Sequence, residues 1–183
     1  MPRSTFVRRV RFGNSCPLPA IIKNGGKWIM KVLVTGVKGQ LGHDVMNELA
    51  LRGIEGIGVD VEEMDITDRT ACETVISQEK PDAGIHCAAY TAVDAAEDNL
   101  ELCRKVNAEG TRNIAKVCKA LDIKMMYIST DYVFDGQGTE PWKPDCKDYK
   151  LQNVYGRTKL EGEMAVANTL DKTSSSRLPG YSV

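Results

Sequence analysis

Apolar positions along the chain fall into short runs that alternate with longer stretches at helical spacing. Val32, Leu33 and Val34 form a run too short for a helix, and residues of this kind suit a buried parallel strand over 32–35. Leu41, Val45, Met46 and Leu49 then recur at helical steps, predicting a helix over 40–52 with Gly53 as its C-cap. A second run predicts a strand over 55–60. A helix over 68–80 follows, started by Thr67 or Asp68 and ended by Pro81-Asp82. The third run, 84–89, leads through a loop to a long helix from Ala96 to Leu121. One face of that helix carries Leu102, Val106, Ile114, Val117 and Leu121. A strand over 123–128 comes next, then a helix opening at Tyr155 with Leu160, Met164 and Ala167 as its apolar face. Repeated strand–helix units imply an α/β fold of Rossmann type, a doubly wound parallel sheet with right-handed crossovers.

Composition bounds this picture without changing it. The 183 residues fit one domain with a real core, and 42% hydrophobic with 27% charged residues is ordinary for a globular chain. The net charge of −1 hides an asymmetry: residues 1–29 hold six Lys or Arg and no acid, leaving 18 basic against 25 acidic residues beyond them. That balance offers no basic field for nucleic acid, and no apolar run reaches membrane-spanning length. The six cysteines (16, 72, 87, 103, 118 and 146) show no CxxC pairing. They read as reduced thiols of a cytoplasmic protein, with no metal site. The basic segment 1–29 does not fit the alternation. Pro17 and Pro19 interrupt any amphipathic targeting helix, so it is expected to be a disordered leader upstream of a start at Met30.

Candidate chemistry lies where strands end. Gly36, Gly39 and Gly42 stand between the first strand and the first helix, an arrangement that aims free backbone N–H groups and a helix N-terminus at a phosphate. Tight turns also collect glycines. Asp60, closing the second strand at the distance needed to accept from a ribose hydroxyl, favours a dinucleotide. Ala88-Ala89-Tyr90-Thr91 follows the third strand and Ser129-Thr130-Asp131-Tyr132 the fourth, both in the expected crevice. Tyr155 and Lys159 share a helix face at i, i+4. A phenol titrates near pH ~10, and an ammonium one turn away is expected to lower that value. With a hydroxyl from Ser129 or Thr130 to orient the reacting oxygen, these groups form an acid–base centre for hydride transfer to a carbonyl.

Thr35-Gly-x-x-Gly-x-x-Gly42, Asp60, the turn at 87–90, Thr130 and Tyr155-x-x-x-Lys159 stand in the order found in extended short-chain dehydrogenases/reductases. Gly-Gln-Leu-Gly (39–42), Asp-Ile-Thr-Asp (65–68), Cys-Ala-Ala-Tyr-Thr-Ala-Val-Asp (87–94), Ser-Thr-Asp-Tyr-Val-Phe-Asp-Gly (129–136) and Asn-Val-Tyr-Gly-Arg-Thr-Lys-Leu-Glu-Gly-Glu (153–163) closely resemble the dTDP-4-dehydrorhamnose reductase family. The resemblance implies NAD(P)H-dependent reduction of the C4 ketone of a dTDP-6-deoxy-4-keto-hexose to dTDP-L-rhamnose.

Carried over by position, Gly39, Gln40 and Leu41 cradle the pyrophosphate, with Gly36 and Gly42 also at the cofactor. Asp60 faces the adenosine ribose, Asp65 and Ile66 the adenine, and Ala88, Ala89 and Tyr90 pass along the cofactor. Thr91, Thr130 and Asp131 lie at the sugar, with Thr130 on its carbonyl. Tyr155 donates the proton, and Lys159 holds the ribose. Asp60, Glu62 and Glu63 offer nothing to a 2′-phosphate, which favours NADH over NADPH, although the family accepts either. Asn107 resembles a structural helix asparagine of the superfamily, whereas His43 and His86 match no role. The resemblance covers 30–167, taken as the NAD(P)-binding domain, and implies a homodimer only for the full-length family form. Residues 168–183 are polar and Ser-rich and are expected to be a disordered tail. The family's substrate lobe is expected to be missing and turnover by this chain to be slight. Two other readings share the glycine turn. One is a non-catalytic regulatory subunit of the methionine adenosyltransferase type, the other a nucleotide-sugar epimerase or dehydratase.

Overall fold

The computed structural model describes residues 30–137, 142–143, 146–171 and 173–178, together with the backbone of 8–10, 22–23 and 26–27. Five parallel strands form its centre: β1 (Lys31–Thr35), β2 (Glu55–Val59), β3 (Ala83–His86), β4 (Lys124–Thr130) and β5 (Thr173–Leu178), in the spatial order β2-β1-β3-β4-β5. The order reverses between β1 and β3, so the carboxyl ends of those two strands flank the crevice where such sheets bind ligands.

Helices cover the two faces unequally. Among the described residues, α1 (Gln40–Leu51) packs alone on one face, where Leu49 meets Val32 and Val34. Gly56 and Gly58 of β2 leave room on that side for Met46 and Val37. On the other face lie α2 (Arg69–Glu79), α5 (Thr111–Ala120) and α6 (Val154–Thr169), which enclose Leu33, Ile57, Ile76, Ile114, Tyr127 and Val166 in the main core. Burial on both faces explains why Val32–Val34 is continuously apolar rather than alternating. Asp68 caps α2 by accepting from Thr70 N–H at 2.8 Å, and Lys80, in the left-handed region at φ 48°, ends it.

Several expectations change. The long helix expected over 96–121 is broken into α3 (Val93–Asp98), α4 (Leu100–Arg104), a π-helical turn over Lys105–Gly110, and α5. Asn99, at φ −127° and ψ 42°, makes the first break. The wide turn then shifts the helical phase, so that Leu102 ends up exposed while Ile114 and Val117 are buried, and Leu121 is exposed as the cap beyond the helix end.

Met164 and Ala167, expected on the apolar face of α6, are also exposed. Gly162, Ala165 and Val166 take that place beside Leu160. β4 runs to Thr130, so Ser129 and Thr130 belong to the strand rather than to a loop.

Within the expected disordered tail the described residues are ordered, while 172 and 179–183 lie outside them. α6 continues to Thr169, and Thr173–Leu178 pairs with β4 from Met125 to Thr130. Its polar sequence is held by the backbone ladder, by Thr173 donating to Met125 O at 3.1 Å, and by Arg177 pairing with Glu163. The leader lies outside the described residues apart from three pieces. Arg8–Val10 adds an antiparallel edge strand to β2, and Ile22–Lys23 pairs with Gly26–Lys27. Among the described residues, no helix is long and apolar enough to cross a membrane.

Candidate functional site

The glycine turn sits at the carboxyl end of β1. Gly36 adopts φ 71°, and an added Cβ there would lie 2.7 Å from the Ala88 backbone, so only glycine lets the two loops meet. A Cβ on Gly42 would overlap the Gly36 carbonyl. Gly39 caps α1 without a side chain, and the first intrahelical bond runs from His43 N–H to Gly39 O at 3.0 Å. The N–H groups of Gln40, Leu41 and Gly42 precede that bond and form the open, partially positive end that an anion fits. Asp60 is fixed beside this turn, where its carboxylate accepts from Lys38 N–H and Val61 N–H, each at 2.9 Å. Lys38 Nζ pairs with Glu62 at 2.7 Å.

The segment Ala88–Tyr90 leaves β3 and is tied at both ends. Ala88 N–H donates to Thr35 Oγ1 at 3.1 Å. Asn107 receives Tyr90 N–H on its Oδ1 at 2.7 Å and returns Nδ2–H to Tyr90 O at 3.1 Å. Asn107 also donates to Thr158 Oγ1 at 3.1 Å, which links the π-helical turn to α6. The superfamily-type asparagine is thus a clamp on the crevice loop.

Thr130, Tyr155 and Lys159 converge at the carboxyl end of β4. Asn153 caps α6 by accepting from Gly156 N–H at 2.7 Å, which sets Tyr155 in the first helical turn. A Cβ at Gly156 would strike Tyr132 O, so helix and strand end approach closely here. Thr130 is buried next to Tyr155, close enough for its hydroxyl to act on the phenol, and the Tyr155 ring meets Tyr132 edge-on at 5.8 Å. Burial raises the Tyr155 phenol above its usual range, and the Thr130 hydroxyl pulls it partly back.

Lys159 is almost fully buried. Its ammonium donates to Ile128 O at 2.5 Å and lies 4.3 Å from the centre of the Tyr127 ring. Burial lowers its pKa to about 7, opposed by Cys87, Cys103 and Glu163. The expectation that Lys159 lowers the Tyr155 pKa is therefore not met. Its Nζ is turned to the strand carbonyl, and burial dominates the phenol. Ser129 Oγ, next to Thr130, is buried without a hydrogen-bond partner among the described residues.

An open helix N-terminus, a fixed carboxylate, a phenol and a buried ammonium thus stand along one sheet edge, a donor set that fits a dinucleotide. The profile of the RmlD substrate binding domain family matches residues 30–180. The chain belongs to that family. It is 39% identical over 141 residues to a dTDP-4-dehydrorhamnose reductase of Streptomyces griseus, covering 77% of this chain and 46% of the relative. It is 33% identical over 156 residues to the methionine adenosyltransferase 2 subunit beta of Xenopus laevis, covering 81% and 46%. The crystal structure of the Bacillus anthracis dTDP-4-dehydrorhamnose reductase in complex with NADP superposes with TM-score 0.80 at 35% identity, over 83% of this chain and 54% of that one. The chain thus spans about half the length of the curated relatives it matches.

Within this RmlD-family chain the remaining expected positions divide. Thr91 and Asp131 are exposed at the crevice loops. Ile66 is buried in the main core against Gly110, and Asp65 spends one oxygen on Thr67 N–H and Oγ1, each at 2.8 Å. Both hold the 65–68 turn. His86 was missed: it is fully buried between Thr35 and Thr111, and a lone histidine in a strand carries no signal of such a role. Lys38, whose N–H binds Asp60 and whose ammonium pairs with Glu62, was missed for a different reason, since these neighbours come from the turn after β2 rather than from its own turn. The thiols of Cys72, Cys87 and Cys118 are pushed up to about 12, 11 and 12 by burial, so these cysteines are inert packing groups.

Proposed function

We propose that this chain is the cofactor-binding and proton-donating part of a reductase of the dTDP-4-dehydrorhamnose type. It would act on the C4 ketone of dTDP-4-dehydro-6-deoxy-L-mannose to give dTDP-L-rhamnose. The observation that carries this reading is that Thr130, Tyr155 and Lys159 lie at the same carboxyl edge of the sheet as the open N-terminus of α1. Thr130 orients the ketone oxygen, and Tyr155 Oη delivers a proton to it as negative charge develops there. Lys159, released from Ile128 O, bonds the ribose hydroxyls of the cofactor and brings positive charge beside the phenol. When bound, the reduced nicotinamide supplies the hydride. Gln40 and Leu41 N–H groups receive the pyrophosphate, and Asp65 and Ile66 border the adenine. Ala88, Ala89 and Tyr90 line the nicotinamide half, and Thr91 and Asp131 face the sugar. The intact Thr130–Tyr155–Lys159 set favours an enzyme over a regulatory subunit like the Xenopus laevis relative.

For the cofactor, NADH is favoured over NADPH. The Asp60 carboxylate is pinned where a 2′-hydroxyl would donate to it, and a 2′-phosphate there would meet like charge. The nearby Lys38 ammonium is already matched by Glu62. Parallel titrations should give NADH at least about ten-fold tighter binding than NADPH, a difference of roughly 1.4 kcal/mol. Equal affinities would sink this preference.

The deciding experiment is an NADH titration followed by nicotinamide fluorescence, with Gly39→Val as control. Gly39 has ordinary φ −79°, and an added Cβ meets only Gly36 O at 3.3 Å, so the variant should fold. Its branched side chain would cover the helix end, with an expected loss of at least about 100-fold in affinity, some 2.7 kcal/mol. Equal binding by both proteins would refute a cofactor site at this turn. In a steady-state assay with the keto-sugar and NADH, this 183-residue chain is expected to turn over far more slowly than a full-length reductase. Comparable rates would show that its own residues complete the sugar site.

A further inference from the structure

We propose that His86 is a positioning residue that locks the nicotinamide-facing loop Ala88–Tyr90 to the glycine turn. The proposal rests on the cofactor site argued above and concerns a side chain that touches neither cofactor nor substrate.

The donors and acceptors around His86 can be assigned in sequence. The Thr111 hydroxyl donates to Asn107 O at 2.7 Å, so its oxygen receives the ring's Nε2–H at 3.0 Å. Nδ1 is then the unprotonated nitrogen and accepts from the Thr35 hydroxyl at 2.7 Å. With its proton committed there, Thr35 Oγ1 accepts Ala88 N–H at 3.1 Å. At the far end, the side chain of the same Asn107 binds Tyr90 N–H and Tyr90 O.

The bonds therefore form a closed circuit. It leaves the loop at Ala88, passes through Thr35, His86, Thr111 and Asn107, and returns at Tyr90. From Ala88 to Asn107 each link is used in one direction, so an imidazole with one donor and one acceptor at opposite ring edges is what completes it. Deep burial lowers the His86 pKa to about 3, with the Lys159 charge adding to the effect, so this tautomer persists at neutral pH. Thr35 also precedes Gly36, whose missing Cβ lets the turn touch Ala88. His86 thus holds in one register the two loops that would contact the pyrophosphate and the nicotinamide half of a dinucleotide.

The test uses the whole chain with His86→Leu and His86→Gln, the latter retaining one donor and one acceptor on a shorter path. Ligands are NADH, which engages both loops, and ADP, which reaches only the glycine turn and Asp60. Amide hydrogen exchange at Ala88 and Tyr90 is measured in parallel. His86→Leu is expected to weaken NADH about ten-fold, as for loss of one well-made buried hydrogen bond. ADP affinity should stay within about two-fold, exchange at both amides should accelerate, and His86→Gln should recover part of the NADH affinity.

Equal weakening of ADP and NADH would overturn the proposal in favour of general destabilisation. So would unchanged exchange at Ala88 and Tyr90 in a folded His86→Leu protein. If the parent protein binds no NADH, the cofactor reading fails, while the exchange comparison still confirms or refutes the circuit.

Discussion

Replacing Lys159 by Met is expected to stabilise the protein at pH 6 and to abolish its NADH binding. The side chain is almost wholly buried, and the groups facing it do little to keep it charged. Cys87 is neutral, its thiol pushed up to about 11. Glu163 is matched by Arg177, while Ile128 O and the Tyr127 face offer only dipoles and π density. His86 brings no negative charge. The folded-state pKa of about 7 lies below the ordinary 10.5, so the unfolded chain binds the extra proton between these values. Stability therefore rises with pH from about 7 to 10.5, and the full penalty for burying the ammonium is present below 7.

Methionine fills similar volume without that charge. Exchanges of buried charge for apolar groups run from neutral to a gain of about 1–4 kcal/mol. Urea denaturation at pH 6 and pH 9 measures both parts: the variant should gain at pH 6 and lose the parent's rise in stability above pH 7. The same substitution removes the donor proposed for the ribose, so NADH affinity should fall by at least about 100-fold. A Met variant less stable than the parent at pH 6 would mean that the ammonium is better paired than this geometry shows. A conserved NADH affinity would remove Lys159 from the cofactor site.

Such a residue is where local rules of stability and the demands of a site part company. The strands and the glycine turn were legible because they rest on short-range patterns. Val32–Val34 is apolar because both faces of β1 are covered, and Gly36 precedes a helix whose spacing is plain in Leu41, Val45 and Leu49. The order of Thr130, Tyr155 and Lys159 was also legible, through family motifs rather than through periodicity.

What failed depended on partners distant in sequence. Nothing around Lys105–Gly110 announces a π-helical turn, because its cause is the fit of Asn107 between Tyr90 and Thr158, residues 17 and 51 positions away. Thr173–Leu178 lacks apolar alternation because its ladder to β4 and the Arg177–Glu163 pair hold it instead. Helical spacing set Lys159 one turn from Tyr155, with its ammonium expected to act on the phenol. Its ammonium turns inward to Ile128 O, a strand carbonyl that helical spacing cannot foresee.

The same contrast between local pattern and distant contact predicts the largest effect on folding. Gly162 lies mid-way along α6, where glycine is unfavourable to a helix by about 1 kcal/mol relative to alanine. By propensity alone, Gly162→Ala should stabilise. The packing decides otherwise. A Cβ at 162 would overlap Asn107 O and come within 2.5 Å of Tyr127 Oη and 3.1 Å of its Cζ. Neither neighbour can give way cheaply. Asn107 O is main chain in the π-helical turn and accepts the Thr111 hydroxyl, while Tyr127 is fully buried and donates to Lys159 O at 3.1 Å.

Gly162→Val is therefore expected to cost on the order of 3 kcal/mol, the upper part of the range for overpacked cores, with Gly162→Ala losing less but still destabilising. The damage should reach the crevice, because moving Asn107 loosens its clamp on Tyr90. Urea midpoints of the two variants against the parent, with NADH affinity measured on whatever remains folded, provide the check. A Gly162→Ala protein more stable than the parent would show that helix propensity outweighs the close approach of α6 to the π-helical turn. In that case the rigid seam between the cofactor loop and the Tyr155 helix would be softer than its contacts indicate.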